Sequence, residues 1–180
     1  MKKLLVAVVA LALLPIALPR AQPAAGPEIR LVLLIVVDQF RYDYLTRFRD
    51  HYTDGIKRLV SEGAVFTDAN LEHYPTVTAV GHATMLSGAT PSVSGIIGND
   101  WFDRASGATV TSVSDPTVSP VGSPTGAAAS PHRLLVSTIG DELKIASPHA
   151  KGSPDAPRAF GVSLKDRSAI LPPGRSADAA

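Results

Sequence analysis

LVLLIVVD, residues 31–38, is an unbroken apolar run closed by a carboxylate. Leu, Ile and Val in succession between Arg30 and Asp38 have the branched character of a strand buried on both faces. Such a strand is expected at the centre of a parallel sheet. In the next segment, DGIKRLVSE (54–62), Ile56, Leu59 and Val60 fall on one helical face ahead of Gly63. AVFTDA (64–69) then reads as a short second strand. A strand, helix, strand opening predicts an α/β fold with a mostly parallel central sheet flanked by helices.

Further along, HYPTVTAVGHATMLSGATP (73–91) predicts a helix over Thr78–Ser87 that stops at Gly88, and GATPSVSGIIGND (88–100) predicts a loop. Residues 106–130 are rich in Ser, Thr, Gly, Pro and Ala, and the alternation in ATVTSVSD (108–115) predicts an edge hairpin before a peripheral loop. SPHRLLVSTIGDEL (130–143) has Leu134, Leu135, Ile139 and Leu143 at helical spacing behind a Ser-Pro start, which predicts a helix over the whole segment. A loop over 147–157 and a strand in RAFGVSL (158–164) complete the pattern, with no internal repeat.

The amino end differs from the rest. Lys2 and Lys3 precede an apolar run from Leu4 to Leu18, and Pro19 to Pro23 closes it. This is the layout of a secretory signal over residues 1–23, shorter than the ~20 apolar residues of a comfortable membrane span. A retained anchor is the alternative, since no clean A-x-A cleavage site is present. QPAAGPE (22–28) reads as a linker, leaving 24–180 as the exported domain, periplasmic or secreted. Its only expected tie to a membrane is the signal itself, during export. The chain has no cysteine, so in that oxidising space any metal must be held by His, Asp or Glu. An apolar content of 45% is enough to bury a core. The 17 basic and 16 acidic residues nearly cancel and form no like-charged block, which argues against nucleic acid as a partner.

Three places can carry chemistry. Ligands in open α/β sheets sit beyond the carboxyl ends of strands, where Asp38 falls; a carboxylate there serves as a cation ligand or as a turn or helix cap. Thr78, if it opens the predicted helix, stands where unpaired backbone N–H groups favour an anion. It also fits a plain N-cap. The small residues Ala79, Gly81 and Ala83 would allow close approach of a bulky ligand. In SLKDRSA (163–169), Lys165 and Arg167 would share one face of an extended segment and could meet one tetrahedral anion, or could simply be solvated surface charges.

LLIVVDQFRYDYLTRF, GHATMLSGATP, GIIGNDWFDR and GVSLKDRSAILPPGR closely resemble, in order, the amino-terminal part of the alkaline phosphatase superfamily. The nearest resemblance is to the bacterial phosphate-irrepressible alkaline phosphatases with a threonine nucleophile, whose cousins are the type I phosphodiesterase/nucleotide pyrophosphatases. That resemblance implies that Asp38 ligates zinc, that Thr78 binds zinc and attacks phosphorus, and that Asn99 donates to a phosphoryl oxygen. Thr76 becomes a supporting residue. Lys165 and Arg167 match the pair that contacts the remaining oxygens in the monoesterase branch. The implied activity is hydrolysis of small phosphate monoesters through a phosphothreonine, with two zinc ions.

The sequence departs from this pattern at Ser94, where histidine is common, while His82 fits it and is assigned to packing; His51, beside Asp50, is assigned to the surface. The family's further zinc ligands, D-x-x-x-H, D-H and a later lone His, lie beyond the Lys/Arg segment. Residues 39–180 contain no D-x-x-x-H, and the five histidines are scattered. The 180 residues are therefore expected to be an amino-terminal part of an alkaline phosphatase-like domain, neither active nor well packed alone. A phosphodiesterase, disfavoured by Lys165 and Arg167, and a non-catalytic exported anion-binding module remain as alternatives.

Overall fold

The computed structural model describes residues 29–122, 125–126 and 128–180. The predicted signal over 1–23 lies outside the described residues. The chain divides into two units, Met1–Gln39 and Phe40–Ala180.

In the first unit the run that predicts the central strand is not a strand. Residues 31–37 have no ladder partner among the described residues, and Leu31, Val32, Leu33, Ile35 and Val37 are 60% to 80% exposed. A β-strand exists only through backbone groups paired with a neighbour. Apolar patterning expresses a capacity for burial and does not supply the neighbour. Asp38 and Gln39 close the run in a turn, with Gln39 at φ 62°.

The second unit begins with a short helix α1 (Tyr44–Arg47) and a 3-10 turn (Arg49–His51). Phe40, Tyr44 and Phe48 stack in sequence at ring separations of 5.6 and 5.1 Å. His51 is exposed, as the surface reading expects. Helix α2 (Gly55–Glu62) falls within the predicted segment 54–62, with Asp54 at its N-cap position. Its apolar face is not buried, Leu59 being 66% exposed. The strand expected at 64–69 is irregular and exposed.

Helix α3 (Thr78–Ser87) ends as predicted at Gly88, whose φ of 66° suits a residue without Cβ and whose N–H donates to the Thr84 carbonyl at 2.8 Å. A four-residue helix α4 (Pro91–Ser94) occupies part of the expected loop, started by Pro91 at its first position. The only sheet among the described residues is an antiparallel hairpin, β1 (Asp100–Asp103) with β2 (Ala108–Thr111), in the register Asp100 to Thr111 and Trp101 to Val110. Among the described residues the α/β class holds, as a small unit compatible with an alkaline phosphatase-like fold, with one antiparallel pair and no parallel ladder in place of the expected central sheet. Asp103 shapes the turn by accepting from the N–H groups of Ala105 and Ser106 at 3.3 and 3.1 Å.

The helix predicted over 130–143 is confined to α5 (Ile139–Ala146). Thr138 and Asp141 form a capping box that sets its start, the Thr138 N–H donating to Asp141 Oδ2 at 2.9 Å. Leu134, taken for a helical position, is instead fully buried in the irregular segment before it. The strand predicted at 158–164 reduces to one parallel bridge, Phe160 to Ala179. A last helix, α6 (Asp166–Ile170), was not expected from sequence.

The core joins α3 to these pieces. Ala79 and Ala83 are buried with Ile96, Val113, Leu134 and Leu171, and Trp101, Val136 and Ile170 pack partly against them. Helix α3 contacts α4, α5 and α6. Asp115 fastens the periphery: it accepts from Ser130 Oγ at 2.5 Å and from Thr117 N and Oγ1 at 2.9 and 2.6 Å. Those hydrogen bonds, led by Ser130, hold its carboxyl at about 2. Since the folded value lies below that of an unfolded aspartate, the contribution is full above about pH 4 and is lost as pH falls through about 2. Asp115→Asn should flatten the dependence of the urea midpoint on pH across that interval; a midpoint that falls as steeply as in the parent would contradict this.

Candidate active site at the amino end of α3

Val77 occupies the N-cap position of α3, with φ −70° and ψ 163°, so Thr78 is the first helical residue and not the cap. Valine brings no side-chain oxygen, and the helix end takes its acceptor from elsewhere. Asn99, 20 residues on, presents Oδ1 to the Ala79 N–H at 2.9 Å. The Asn99 carbonyl is in turn held by the Ser112 N–H at 2.9 Å, which ties this loop to the residue that follows β2. An amide thus sits against the residue next to Thr78. Because Oδ1 is engaged by a backbone N–H, the Nδ2 protons are the side of the carboxamide left to meet an acceptor.

Thr78 is half-buried and Thr76 is exposed. His82, 5% exposed, brings Nδ1 to the Thr78 carbonyl at 2.8 Å, one turn along the helix. This is a packing and backbone contact, in keeping with the sequence reading. The small residues have a different purpose from the one expected: Ala79 and Ala83 are small because they face Ile96 and Leu171 in the core. At Gly81, by contrast, a Cβ would meet nothing within 4 Å. Ser94 is 1% exposed and its Oγ accepts from the Ile96 N–H at 3.3 Å, a structural role inside α4 and the turn after it.

The Lys165/Arg167 pair does not lie on an extended segment. Lys165 is the N-cap residue of α6 and is exposed, whereas Arg167 is inside the helix. Residues two apart in a helix point in different directions, so the shared-face argument fails for this backbone. Helix α6 nevertheless packs on α3. The Arg167 side chain is 27% exposed, with Nη1 3.6 Å from Asp166 Oδ1 and Nε buried without a hydrogen-bond partner. His73, five residues before Thr78, has both ring nitrogens shielded and unpartnered. Sequence reading passed over His73, and nothing in its local pattern distinguishes it from a surface histidine.

Asp38 is exposed at its turn in the first unit; helix α1 starts beyond it, so it caps no helix. A zinc site takes about four ligands from Cys, His, Asp or Glu. Among the described residues no three such side chains gather into a group able to hold a metal ion. Asp38 and Thr78 are therefore not a donor set that fits two zinc ions.

The sequence matches the model of the type I phosphodiesterase / nucleotide pyrophosphatase family over residues 32–143. The chain belongs to that family, within the alkaline phosphatase superfamily. Among curated relatives, it is 40% identical over 155 residues to alkaline phosphatase PafA of Elizabethkingia meningoseptica, covering 84% of this chain and 27% of that protein. It is 40% identical over 167 residues to alkaline phosphatase PhoV of Synechococcus elongatus, covering 89% and 29% respectively. A protein of Myroides odoratus named calcium-transporting ATPase is 40% identical over 153 residues, covering 84% and 27%. The chain thus spans between a quarter and a third of the length of these relatives.

Proposed function

We propose that this chain carries the nucleophile of an exported phosphate monoesterase. The observation that carries the reading is the docking of Asn99 on the first turn of α3, beside Thr78. In this reading the Thr78 hydroxyl attacks phosphorus, the Thr78 Oγ–P bond forms and the ester P–O bond breaks, and the alcohol leaves with a proton. Water then cleaves the phosphothreonine, returning Thr78 and releasing inorganic phosphate. The end of α3 favours the anion through its dipole, Asn99 donates from Nδ2, and Arg167 supplies positive charge from a helix packed on α3. Lys165, at the start of the same helix, is the second cation of the proposal. The names of the alkaline phosphatase relatives support the reaction class.

Zinc is expected from the resemblance, but Asp38 and Thr78 alone do not make a donor set that fits it. A threonine hydroxyl is a poor nucleophile until a base or metal takes its proton; the His82 Nδ1 contacts the Thr78 carbonyl.

A monoester presents one more charged oxygen than a diester, so Arg167 should matter more for the former. In the protein that carries this chain, 4-nitrophenyl phosphate should turn over faster than bis(4-nitrophenyl) phosphate, and Arg167→Ala should narrow the gap at least tenfold. A diester turned over faster, with a ratio unmoved by Arg167→Ala, would assign the chain to diester hydrolysis instead. Export belongs to the same proposal. Among the described residues no helix is long and apolar enough to cross a membrane. The mature protein should appear in the exported fraction lacking residues 1–23; an intact amino terminus retained in the cytoplasm would contradict it.

A further inference from the structure

A cavity of about 510 Å³ lies between α5 and the carboxyl-terminal segment, lined by residues from Leu135 to Asp178. None of Thr78, Asn99, Lys165 or Arg167 lines it. Its charge is unbalanced: Lys144, Lys151, Arg158 and Arg175 stand against two carboxylates, Asp141 and Asp178. Both carboxylates are already occupied. Asp141 accepts from the N–H groups of Thr138, Arg175 and Ser176 and from Ser176 Oγ. Asp178 pairs with Lys144 at 2.7 Å and accepts from the Ala159 N–H at 2.8 Å. Lys151 and Arg175 make no ion pair among the described residues, and Arg158 acts on Asp178 through its charge, helping Lys144 to lower that carboxyl.

The remaining wall is apolar and open. Leu135 and Ile145 line the cavity while 68% and 73% exposed, and Ala156 and Pro157 continue that surface. Cationic groups around a concave surface raise the local potential for an anion, and guanidinium groups bind phosphate-type oxygens in pairs. A volume in the range of small-molecule sites, with an apolar wall beside the charges, calls for more than an inorganic ion.

We propose that this cavity is a second anion site, distinct from the end of α3, that takes a small organic phosphate or phosphonate with an aromatic or apolar body. Arg158 and Arg175 grip the oxygens, Lys151 adds charge, and the body lies on Leu135 and Ile145.

Phenylphosphonate, which has no ester bond to hydrolyse, is the probe. Titrated calorimetrically into the protein that carries this chain, it should bind at least tenfold more weakly to Arg158→Ala/Arg175→Ala than to the parent. Arg158→Lys/Arg175→Lys should recover most of the loss, which separates loss of charge from misfolding. The binding step that Arg158→Ala/Arg175→Ala weakens should persist in Thr78→Ala and in Arg167→Ala. Inorganic phosphate should bind about tenfold more weakly than phenylphosphonate. An affinity that falls with Arg167→Ala and not with the double variant would place the anion at α3 and overturn the proposal while leaving the phosphatase reading intact. No binding at millimolar phenylphosphonate would also overturn it.

Discussion

Asp141→Ala should lower the stability of the Phe40–Ala180 unit by about 3 kcal/mol, the largest loss expected from any single side chain outside the apolar core. Asp141 is 5% exposed, and its two oxygens hold three backbone N–H groups and two hydroxyls that come from both ends of a long connection. Removing the carboxylate leaves the N–H groups of Thr138, Arg175 and Ser176 without their acceptor where little water can replace it. Burial by itself pushes the Asp141 carboxyl up, yet the bonds from Ser176, Thr138 and Arg175 together hold it below the ordinary aspartate value. That balance shows that the charged form is the one the fold accommodates. The space is closed as well: a Cβ at Gly174, whose φ is 90°, would lie 2.2 Å from Asp141 Oδ2. Urea unfolding followed by circular dichroism checks the loss; Asp141→Asn, which keeps one oxygen acceptor, should lose less, and a loss under 1 kcal/mol for Asp141→Ala would show that the clasp is ornamental.

Thr78→Ala should reduce phosphate monoester turnover by the protein that carries this chain on the order of a thousandfold or more, with little change in stability. The stability forecast follows from position: Thr78 is half-buried at the first position of α3, the N-cap is Val77, and the acceptor for the Ala79 N–H belongs to Asn99. Thr78→Ser, which keeps a hydroxyl, should retain measurable turnover. Equal activity in Thr78→Ala and parent would remove Thr78 from the chemistry.

What the sequence could and could not reveal divides along physical lines. Helices α2 and α3 were legible because their signals are local: apolar spacing in one, and a stop at a left-handed Gly88 in the other. The second hairpin strand was legible in the alternation at 108–111, whereas its partner at 100–103 and the turn between them were not. The strands at 31–37, 64–69 and 158–164 were not realised, because a strand's partner is not written in its own residues. Helix α5 began eight residues later than the Ser-Pro signal proposed, since the Thr138/Asp141 box outweighed the hydrophobic spacing before it. At the site, the local sequence pointed to Thr78 and the family resemblance to Asn99, and the Asn99 side chain reaches the first turn of the helix that Thr78 starts. It did not foresee that Asn99, rather than Thr78, would serve the exposed end of α3. The alternation argument for Lys165 and Arg167 failed because Asp166 starts a helix between them. The cationic cavity was invisible because its residues are spread from 135 to 178.

The most direct test is to find the phosphoryl group. The protein that carries this chain, purified from its native source, would be mixed with 4-nitrophenyl phosphate, quenched in acid during turnover and mapped by tandem mass spectrometry. The account predicts a phosphothreonine at Thr78 that is absent before substrate is added. Turnover with the phosphoryl group on another residue, or with no phosphorylated protein at any quench time, would contradict it.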